Sequence, residues 1–371
     1  MIMKKIIIPI LGMSLVLSAC GGATSDSSQG ATAAKTGGVS VTNCGEEVTF
    51  DKANELFVND GNIISIALAA GAGDKIKYVS SLQRDKEILR AKFGDQVDSL
   101  NDTSKDYPSL ETVVAKHPDV FIAGWNYGFS EEKNLTPETL KAQGISSYIL
   151  SESCKQGGSN KRGVYDPWEA VKMDLSNIGA ITNNKDSAES AVKDLDDRLE
   201  SLKKLKAADK KPNVFVFDSG KGDAVYTSGK FGAPQAILEA AGAQNAAGDI
   251  EDTWTSVGWE KIASATPDAF VFVDYPGQEF NEKVEELRAN PATRNLPAVK
   301  ENRFINLPYT MWTSGSLNID AAEHVRKGLE KFNLAPQSEI SPKLTLPNSV
   351  AGQDFSPRST FTWLLSLMES I

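Results

Sequence analysis

A short pattern that occurs twice constrains the fold of this chain more than any other feature of its sequence. Residues 110–122 and residues 259–271 each begin near a glutamate that opens a short helical stretch, continue through a Pro-Asp turn, and end in an apolar run typical of a buried strand. The two copies stand roughly 150 positions apart, which is too far for a solenoid repeat. The pattern therefore predicts two similar α/β lobes with a cleft between them.

The N-terminus carries the pattern of an exported lipoprotein. Lys4 and Lys5 precede an apolar run over residues 6–16 and then Leu-Ser-Ala-Cys, so residues 1–19 are predicted to be a signal peptide that ends in a lipobox. The alternative is an ordinary leader that contains a cysteine by chance. We expect lipidation of Cys20 to hold the protein on a membrane, facing the periplasm or the cell exterior, through a flexible Ser- and Gly-rich tether over residues 20–42. No later apolar segment is long enough to span a bilayer.

The two remaining cysteines, Cys44 and Cys154, belong to a chain whose export permits oxidation. A disulfide between them is the prediction, and two unpaired thiols are the alternative. A zinc site is disfavoured because two cysteines without nearby histidines do not supply a tetrahedral ligand set.

The apolar runs and their spacing divide the mature chain into segments. Residues 43–166 are predicted to form an N-terminal α/β lobe, residues 167–210 a connecting helix, residues 211–335 a C-terminal α/β lobe, and residues 336–371 an extension. Continuous apolar runs at 120–123, 213–218 and 270–273 are typical of parallel strands covered on both faces. Helical spacing over residues 168–206 predicts one long helix with a candidate break at residues 182–184.

Composition excludes several classes of function. A net charge of −10 over 371 residues argues against nucleic acid, whose phosphates require Lys and Arg patches. The only histidines, His117 and His324, stand in no nucleophile pattern and are too few for a bare transition-metal site. We therefore predict no enzyme, no cofactor and no metal ion ligated by the protein. A secreted glycoside hydrolase with two carboxylates and a surface lipoprotein without a transport role are the alternatives from other classes.

Several motifs, taken in order, resemble those of one protein family. They are Pro108-Ser109-Leu110-Glu111 before His117-Pro118-Asp119, Pro167-Trp168, Tyr226-Thr227-Ser228-Gly229-Lys230, Trp254-Thr255-Ser256-Val257 before Trp259-Glu260, and Asn318-Ile319-Asp320-Ala321-Ala322. From about Cys44 to Phe332 the chain resembles the iron-siderophore and cobalamin class of ABC-importer substrate-binding proteins. The resemblance implies two Rossmann-like lobes with mostly parallel sheets, joined by a single long helix, and a ligand in the cleft between the lobes.

The resemblance also implies roles for particular residues. Open α/β sheets bind ligands beyond the carboxyl ends of their strands, and flat aromatic faces suit bulky chelates. The predicted ligand-binding residues are Trp125, Tyr127, Tyr226, Trp254, Tyr275, Tyr309, Trp312 and Arg303. Each aromatic residue could instead be part of the core.

Glu111 and Glu260 are expected to project from the tops of the lobes and to pair with arginines of an ABC permease dimer, which works with a cytoplasmic ATPase. For each glutamate, the alternative is a first-turn carboxylate stabilised by the helix dipole. The ligand is predicted to be a small-molecule metal chelate. Because few cations lie in the expected cleft, we favour a neutral or weakly charged one. A ferric hydroxamate-type siderophore is the first choice, with a corrinoid and then haem as alternatives.

Overall fold

The computed structural model describes residues 37–157 and 159–348, with the side chain of Lys221 left out. The predicted signal peptide, Cys20, most of the tether and the end of the C-terminal extension lie outside the described residues. Within the described ranges, no helix combines the length and the hydropathy that a membrane crossing requires.

A parallel sheet forms the centre of the first lobe. A hairpin of antiparallel strands β1 (Val39–Asn43) and β2 (Glu46–Phe50) precedes it. The sheet has the strand order β4-β3-β5-β7, with the short β6 also beside β5, and all these pairs are parallel. The elements of the lobe are β3 (Leu56–Asn59), α1 (Gly61–Ala69), β4 (Ile76–Ser80), α2 (Lys86–Phe93), α3 (Leu110–Lys116), β5 (Val120–Trp125), β6 (Gly128–Phe129), α4 (Pro137–Ala142) and β7 (Ser146–Ile149).

The segment that connects the lobes consists of two helices packed against each other, α5 (Pro167–Ile181) and α6 (Lys185–Lys203). The two helices are separated at residues 182–184, the position at which the sequence predicted a break in the helix. Asn183 adopts a left-handed backbone with φ 61°, and the Thr182 hydroxyl donates to the Ile178 carbonyl at 2.6 Å. These features end one helix and start the next, so the connection is a helical hairpin and not one uninterrupted helix.

The second lobe contains a parallel sheet with the order β11-β8-β13-β14 and a separate antiparallel sheet with the order β12-β10-β9. Phenylalanines of β8 and β13 pack in its core, as expected for strands buried on both faces. The elements are β8 (Asn213–Phe217), β9 (Ser219–Lys221), β10 (Ala224–Ser228), α7 (Ala233–Ala240), β11 (Gln244–Asn245), β12 (Trp254–Gly258), α8 (Trp259–Ala265), β13 (Ala269–Asp274), α9 (Phe280–Ala289), α10 (Pro297–Lys300), β14 (Phe304–Pro308), α11 (Tyr309–Trp312) and α12 (Asn318–Lys331).

The two copies of the repeated pattern have the same structure. Helices α3 and α8 each end on a left-handed residue, His117 with φ 47° and Thr266 with φ 44°. After the proline, the aspartate carboxylate of each copy accepts a backbone N–H at the start of the neighbouring strand. Asp119 accepts from the Asn54 N–H at 2.9 Å, and Asp268 accepts from the Asn213 N–H at 2.8 Å. The repeat therefore fixes the register of the central strands in both lobes.

Candidate functional site

A cavity of about 160 Å³ lies at the carboxyl edges of the two parallel sheets, with residues of both lobes in its walls. We call it the aromatic pocket. It contains four of the predicted ligand-binding residues, Tyr127, Tyr226, Trp254 and Tyr309. Its full lining is Tyr107, Asn126, Tyr127, Arg162, Asp218, Tyr226, Trp254, Tyr309 and Thr313. The carboxyl-edge rule for parallel sheets thus predicted the location of the cavity.

The antiparallel strands β10 and β12 position the aromatic wall of the second lobe. Ser228 is opposite Trp254 in this ladder, and Tyr226 is opposite Ser256. The Tyr226 and Trp254 rings stack with their centroids 6.0 Å apart and their planes at 21°. Trp254 is only 6% exposed, and its indole N–H has no hydrogen-bond partner within the described part of the chain. A buried donor without a partner is costly, so this N–H is available to a bound ligand.

Trp125 lines a neighbouring cavity of about 300 Å³, which we call the polar cavity. The Lys155 ammonium lies 3.9 Å from the centre of the Trp125 ring system and 2.7 Å from a Glu131 carboxylate oxygen. The lining consists of Trp125, Asn126, Ser130, Glu131, Glu132, Lys155, Asn160 and Arg162. Asn126 and Arg162 line both cavities, so the aromatic pocket and the polar cavity meet at these two side chains.

Two predicted ligand-binding residues lie elsewhere and are corrected. Trp312 is fully buried and donates its indole N–H to the Phe272 carbonyl at 2.9 Å, which makes it a core residue. Arg303 precedes β14, which runs parallel to β13. A residue before a parallel strand lies at the sheet edge opposite the residues that follow it, so Arg303 is on the far side from the pocket. Tyr275 does not line the pocket, but its hydroxyl donates to Asp218, which does, at 2.9 Å.

A cluster of charged and phenolic residues adjoins the pocket, and of its members only Tyr309 was predicted. We call Asp60, Arg84, Asp85, Tyr107 and Tyr309 the cross-lobe cluster. Arg84 pairs with both buried aspartates, and its guanidinium carbon is 3.7 Å from the centre of the Tyr309 ring. Tyr107 donates to Asp60 at 2.8 Å. The cluster joins first-lobe loops to the start of α11 in the second lobe.

Burial shapes the protonation of this cluster. It raises the pKa of Asp85 to about 6, while the adjacent Arg84 opposes the shift and Asp60 adds to it. Burial also raises the pKa of Tyr107, so its hydroxyl stays protonated and can donate. The Asp60-Gly61 pair directly after β3 is a turn signal that could have indicated Asp60, whereas Arg84 and Tyr107 stand in loops without a recognisable pattern.

A second buried chain of polar groups ends at the junction of the cavities. The Tyr127 hydroxyl donates to Glu152 at 2.7 Å, and Arg162 donates to the Tyr127 hydroxyl at 3.4 Å. Burial raises the pKa values of Tyr127 and Glu152. Among the residues that the structure describes, no group of three or more His, Cys, Asp or Glu side chains is arranged to hold a metal ion.

The remaining predicted residues are placed as follows. Glu111 and Glu260 are both exposed in the first turns of the equivalent helices α3 and α8. Hydrogen bonds from its own backbone N–H and from the Ser109 side chain lower the pKa of Glu111. The Cys44 and Cys154 sulfurs are bonded, with their Cα atoms 5.3 Å apart. This disulfide ties the β1–β2 hairpin to the segment that leads to Arg162.

Comparison with known proteins identifies the family. A sequence model for periplasmic binding proteins matches residues 60–310, and this chain belongs to that family. No curated protein matches the chain. The resemblance found in the sequence is confirmed at this level, and the family consists of binding proteins and not enzymes.

Solved structures share the two-lobe fold. A periplasmic binding protein from Veillonella parvula is 22% identical, with a TM-score of 0.66, over 79% of this chain and 97% of its own. A protein of an ABC-type Fe³⁺-hydroxamate transport system from Saccharomonospora viridis is 21% identical, with a TM-score of 0.65, over 78% of this chain and 98% of its own. A periplasmic haem-binding protein from Pseudomonas aeruginosa is 18% identical, with a TM-score of 0.59, over 78% and 96%. At these identities the similarity shows the fold alone.

Proposed function

We propose that this protein is the extracytoplasmic substrate-binding component of an ABC importer and that it captures a bulky metal chelate, with a ferric hydroxamate-type siderophore as the first choice. The observation that carries the proposal is the aromatic pocket, in which five aromatic side chains from two lobes converge at the carboxyl edges of both sheets. Aromatic faces with a few hydroxyl donors suit an apolar, rigid chelate with outward oxygen atoms. The protein performs no chemistry on the ligand.

The charges around the pocket favour a neutral or weakly charged chelate. The Arg84 guanidinium is already matched by the carboxylates of Asp60 and Asp85, and Asp218 adds a further acidic group to the lining. A triply anionic catecholate complex would need several uncommitted cations. A ferric trihydroxamate core is neutral and needs none.

Two alternatives of the same class keep some support. The stacked Tyr226 and Trp254 rings offer a flat face that also suits the ring of a corrinoid. Haem would need an axial ligand, and a tyrosinate is the available type. Burial raises the pKa values of Tyr107, Tyr127 and Tyr309, which opposes tyrosinate formation. Haem is therefore the third choice of ligand, after the hydroxamate and the corrinoid.

Anchoring and docking complete the proposal. Lipidation of Cys20 would keep the protein at the membrane, and Glu111 and Glu260 would engage cationic residues of the permease dimer. Their exposure on equivalent helices of the two lobes supports this role, because a two-fold permease presents the same surface twice.

Titration of intrinsic tryptophan fluorescence tests the capture of a chelate. Purified protein is titrated with a ferric trihydroxamate, cobalamin, haemin and an oligosaccharide. We expect saturable quenching by the ferric hydroxamate, and we expect Trp254→Phe to reduce its amplitude and affinity. Trp259→Phe is the matched control, because Trp259 is a nearly buried tryptophan of the same lobe that does not line the pocket. Saturable binding of cobalamin or haemin alone would replace the hydroxamate, and turnover of the oligosaccharide would contradict the binding role.

A further inference from the structure

The side chain of Arg162 stands apart from the other buried arginines. Three arginines in the described part of the chain are more than nine-tenths buried, Arg162, Arg198 and Arg326. Arg198 lies 2.8 Å from a Glu323 carboxylate oxygen, and Arg326 lies 3.0 Å from one of Glu330. No carboxylate of the described residues lies within 4.0 Å of the Arg162 guanidinium, which interacts instead with two phenol hydroxyls, Tyr127 at 3.4 Å and Tyr226.

Glu152 and Asp252 act on the Arg162 charge from beyond ion-pair distance, so the guanidinium has negative groups nearby but no carboxylate that its N–H donors bind directly. Arg162 lines both cavities, and so does the exposed Asn126. A guanidinium and a carboxamide that line the same cavities offer planar N–H donors that match a carboxylate. The junction therefore offers a cation whose N–H donors bind no carboxylate directly, beside the space that a ligand would occupy.

The loop that carries Arg162 is held in place at both ends. The Cys44–Cys154 disulfide fixes its beginning, and the Asp166 carboxylate caps the first turn of α5 at its end by accepting from the Trp168 N–H at 2.9 Å. Gly163 has φ 91°, and a Cβ atom there would lie 2.5 Å from the Phe231 ring of the second lobe. The loop is thus packed against the opposite lobe, which fixes the guanidinium between the two cavities.

We propose that the polar cavity is a second subsite of the ligand site and that Arg162, with Asn126, binds a carboxylate on an arm of the chelate whose metal-bearing part fills the aromatic pocket. The inference rests on the proposed capture of a chelate and narrows its class to chelates with a free acid group away from the metal. The second cavity is polar: Ser130 and Asn160 offer uncharged groups to such an arm, and Glu131, Glu132 and Lys155 line it as well.

Two matched probes test this subsite. One is a linear ferric trihydroxamate with one terminal carboxylate, and the other is the same chelate with that group converted to a primary amide. We expect the parent protein to bind the acid roughly 10- to 100-fold more tightly than the amide, as for a hydrogen-bonded charge pair. Arg162→Gln should abolish this preference and leave the affinity for the amide within about threefold. Arg162→Lys should keep part of the preference, because the charge remains but the planar fork is lost.

Lys161→Gln is the matched control, since it removes one positive charge from the same loop at an exposed residue outside both cavities. It should leave the preference for the acid intact. Equal affinity of the parent for acid and amide, or an equal loss of preference in Arg162→Gln and Lys161→Gln, would overturn the subsite while leaving chelate capture standing. Failure of both probes to bind the parent would overturn capture of a ferric hydroxamate and the subsite with it.

Discussion

Replacement of Arg84 by methionine tests how the cross-lobe cluster is held together. In the parent, the Arg84 guanidinium pairs with Asp60 and Asp85, whose side chains are fully buried. Methionine removes the cation and keeps much of the side-chain volume over Tyr309. Removal of one partner from a buried ion pair costs about 3–5 kcal/mol, because the remaining charge has neither water nor a counterion. We expect a loss of this size in the free energy of unfolding near pH 7.5.

The pH dependence of that loss follows from Asp85. Its pKa in the folded parent is raised by burial to about 6, and loss of Arg84 raises it further. A carboxyl whose pKa is higher in the folded state than in the unfolded state makes the folded state bind more protons, so stability falls as pH rises. Between pH 7.5 and pH 6 the variant gains stability with falling pH while the parent changes little. The variant gains up to about 2 kcal/mol, at 1.36 kcal/mol per pH unit, and the parent gains about 0.4 kcal/mol because its Asp85 is half protonated at pH 6, so the difference between them should shrink by up to about 1.5 kcal/mol.

Urea unfolding of both proteins at a series of pH values measures this difference. The double variant Arg84→Met with Asp85→Asn is the control, because it removes one of the two stranded carboxylates and should recover part of the lost stability with a smaller pH dependence. A loss below 1 kcal/mol near pH 7.5, or a loss that stays constant down to pH 6, would refute the buried ion-pair account of the cross-lobe cluster.

Three further predictions concern the ligand, the permease and the membrane. Trp254→Phe should weaken chelate binding by about 1–2 kcal/mol through loss of the indole donor and ring area, measured by fluorescence titration, whereas Trp259→Phe should not. Glu111→Arg with Glu260→Arg should leave chelate affinity within about twofold but abolish permease-dependent uptake. Glu138→Arg with Glu282→Arg, first-turn glutamates elsewhere on the two lobes, should transport normally. Cys20→Ser should prevent fatty-acid labelling, and labelling at the parental level would contradict the lipobox.

Local sequence patterns predicted the architecture and part of the site. The Pro-Asp turns and apolar runs are short-range signals, so both copies of the repeat appear in the structure with their strands. Tyr127, Tyr226 and Tyr309 follow or lie in strands whose direction determines where they project. The prediction that Arg303 lies in the cleft was wrong, because Arg303 precedes its strand and so lies at the opposite edge of the sheet. The prediction for Trp312, three residues after Tyr309, was also wrong, because the short helix α11 turns that side chain into the core.

Apart from Tyr309, the members of the cross-lobe cluster could not be predicted, and neither could Arg162, because their contacts are distant in sequence. Arg84 pairs with Asp60, 24 positions away, and Tyr309 reaches the same carboxylate from 249 positions away. Neither contact leaves a periodic pattern. Arg162 lies in a polar loop whose composition is typical of a solvent-exposed segment, and its burial depends on long-range contacts such as that with Tyr127 and the packing of Gly163 on Phe231. The positions of side chains in or next to strands and helices follow from local patterns, whereas contacts between loops that are distant in sequence do not.

Buried ion pairs hold the lobes together at a second place. The Asp320 carboxylate of α12 lies 2.8 Å from Lys92 of α2 and 2.5 Å from Arg198 of α6. Wide opening of the cleft would separate these charges as well as the cross-lobe cluster, and each unpaired buried charge costs several kcal/mol. A ligand can shift a conformational equilibrium only by its difference in affinity for the two states. The structure therefore favours a largely preformed cleft, and under the proposed function selectivity would depend on the fit of the chelate to fixed aromatic rings and to the Arg162 junction.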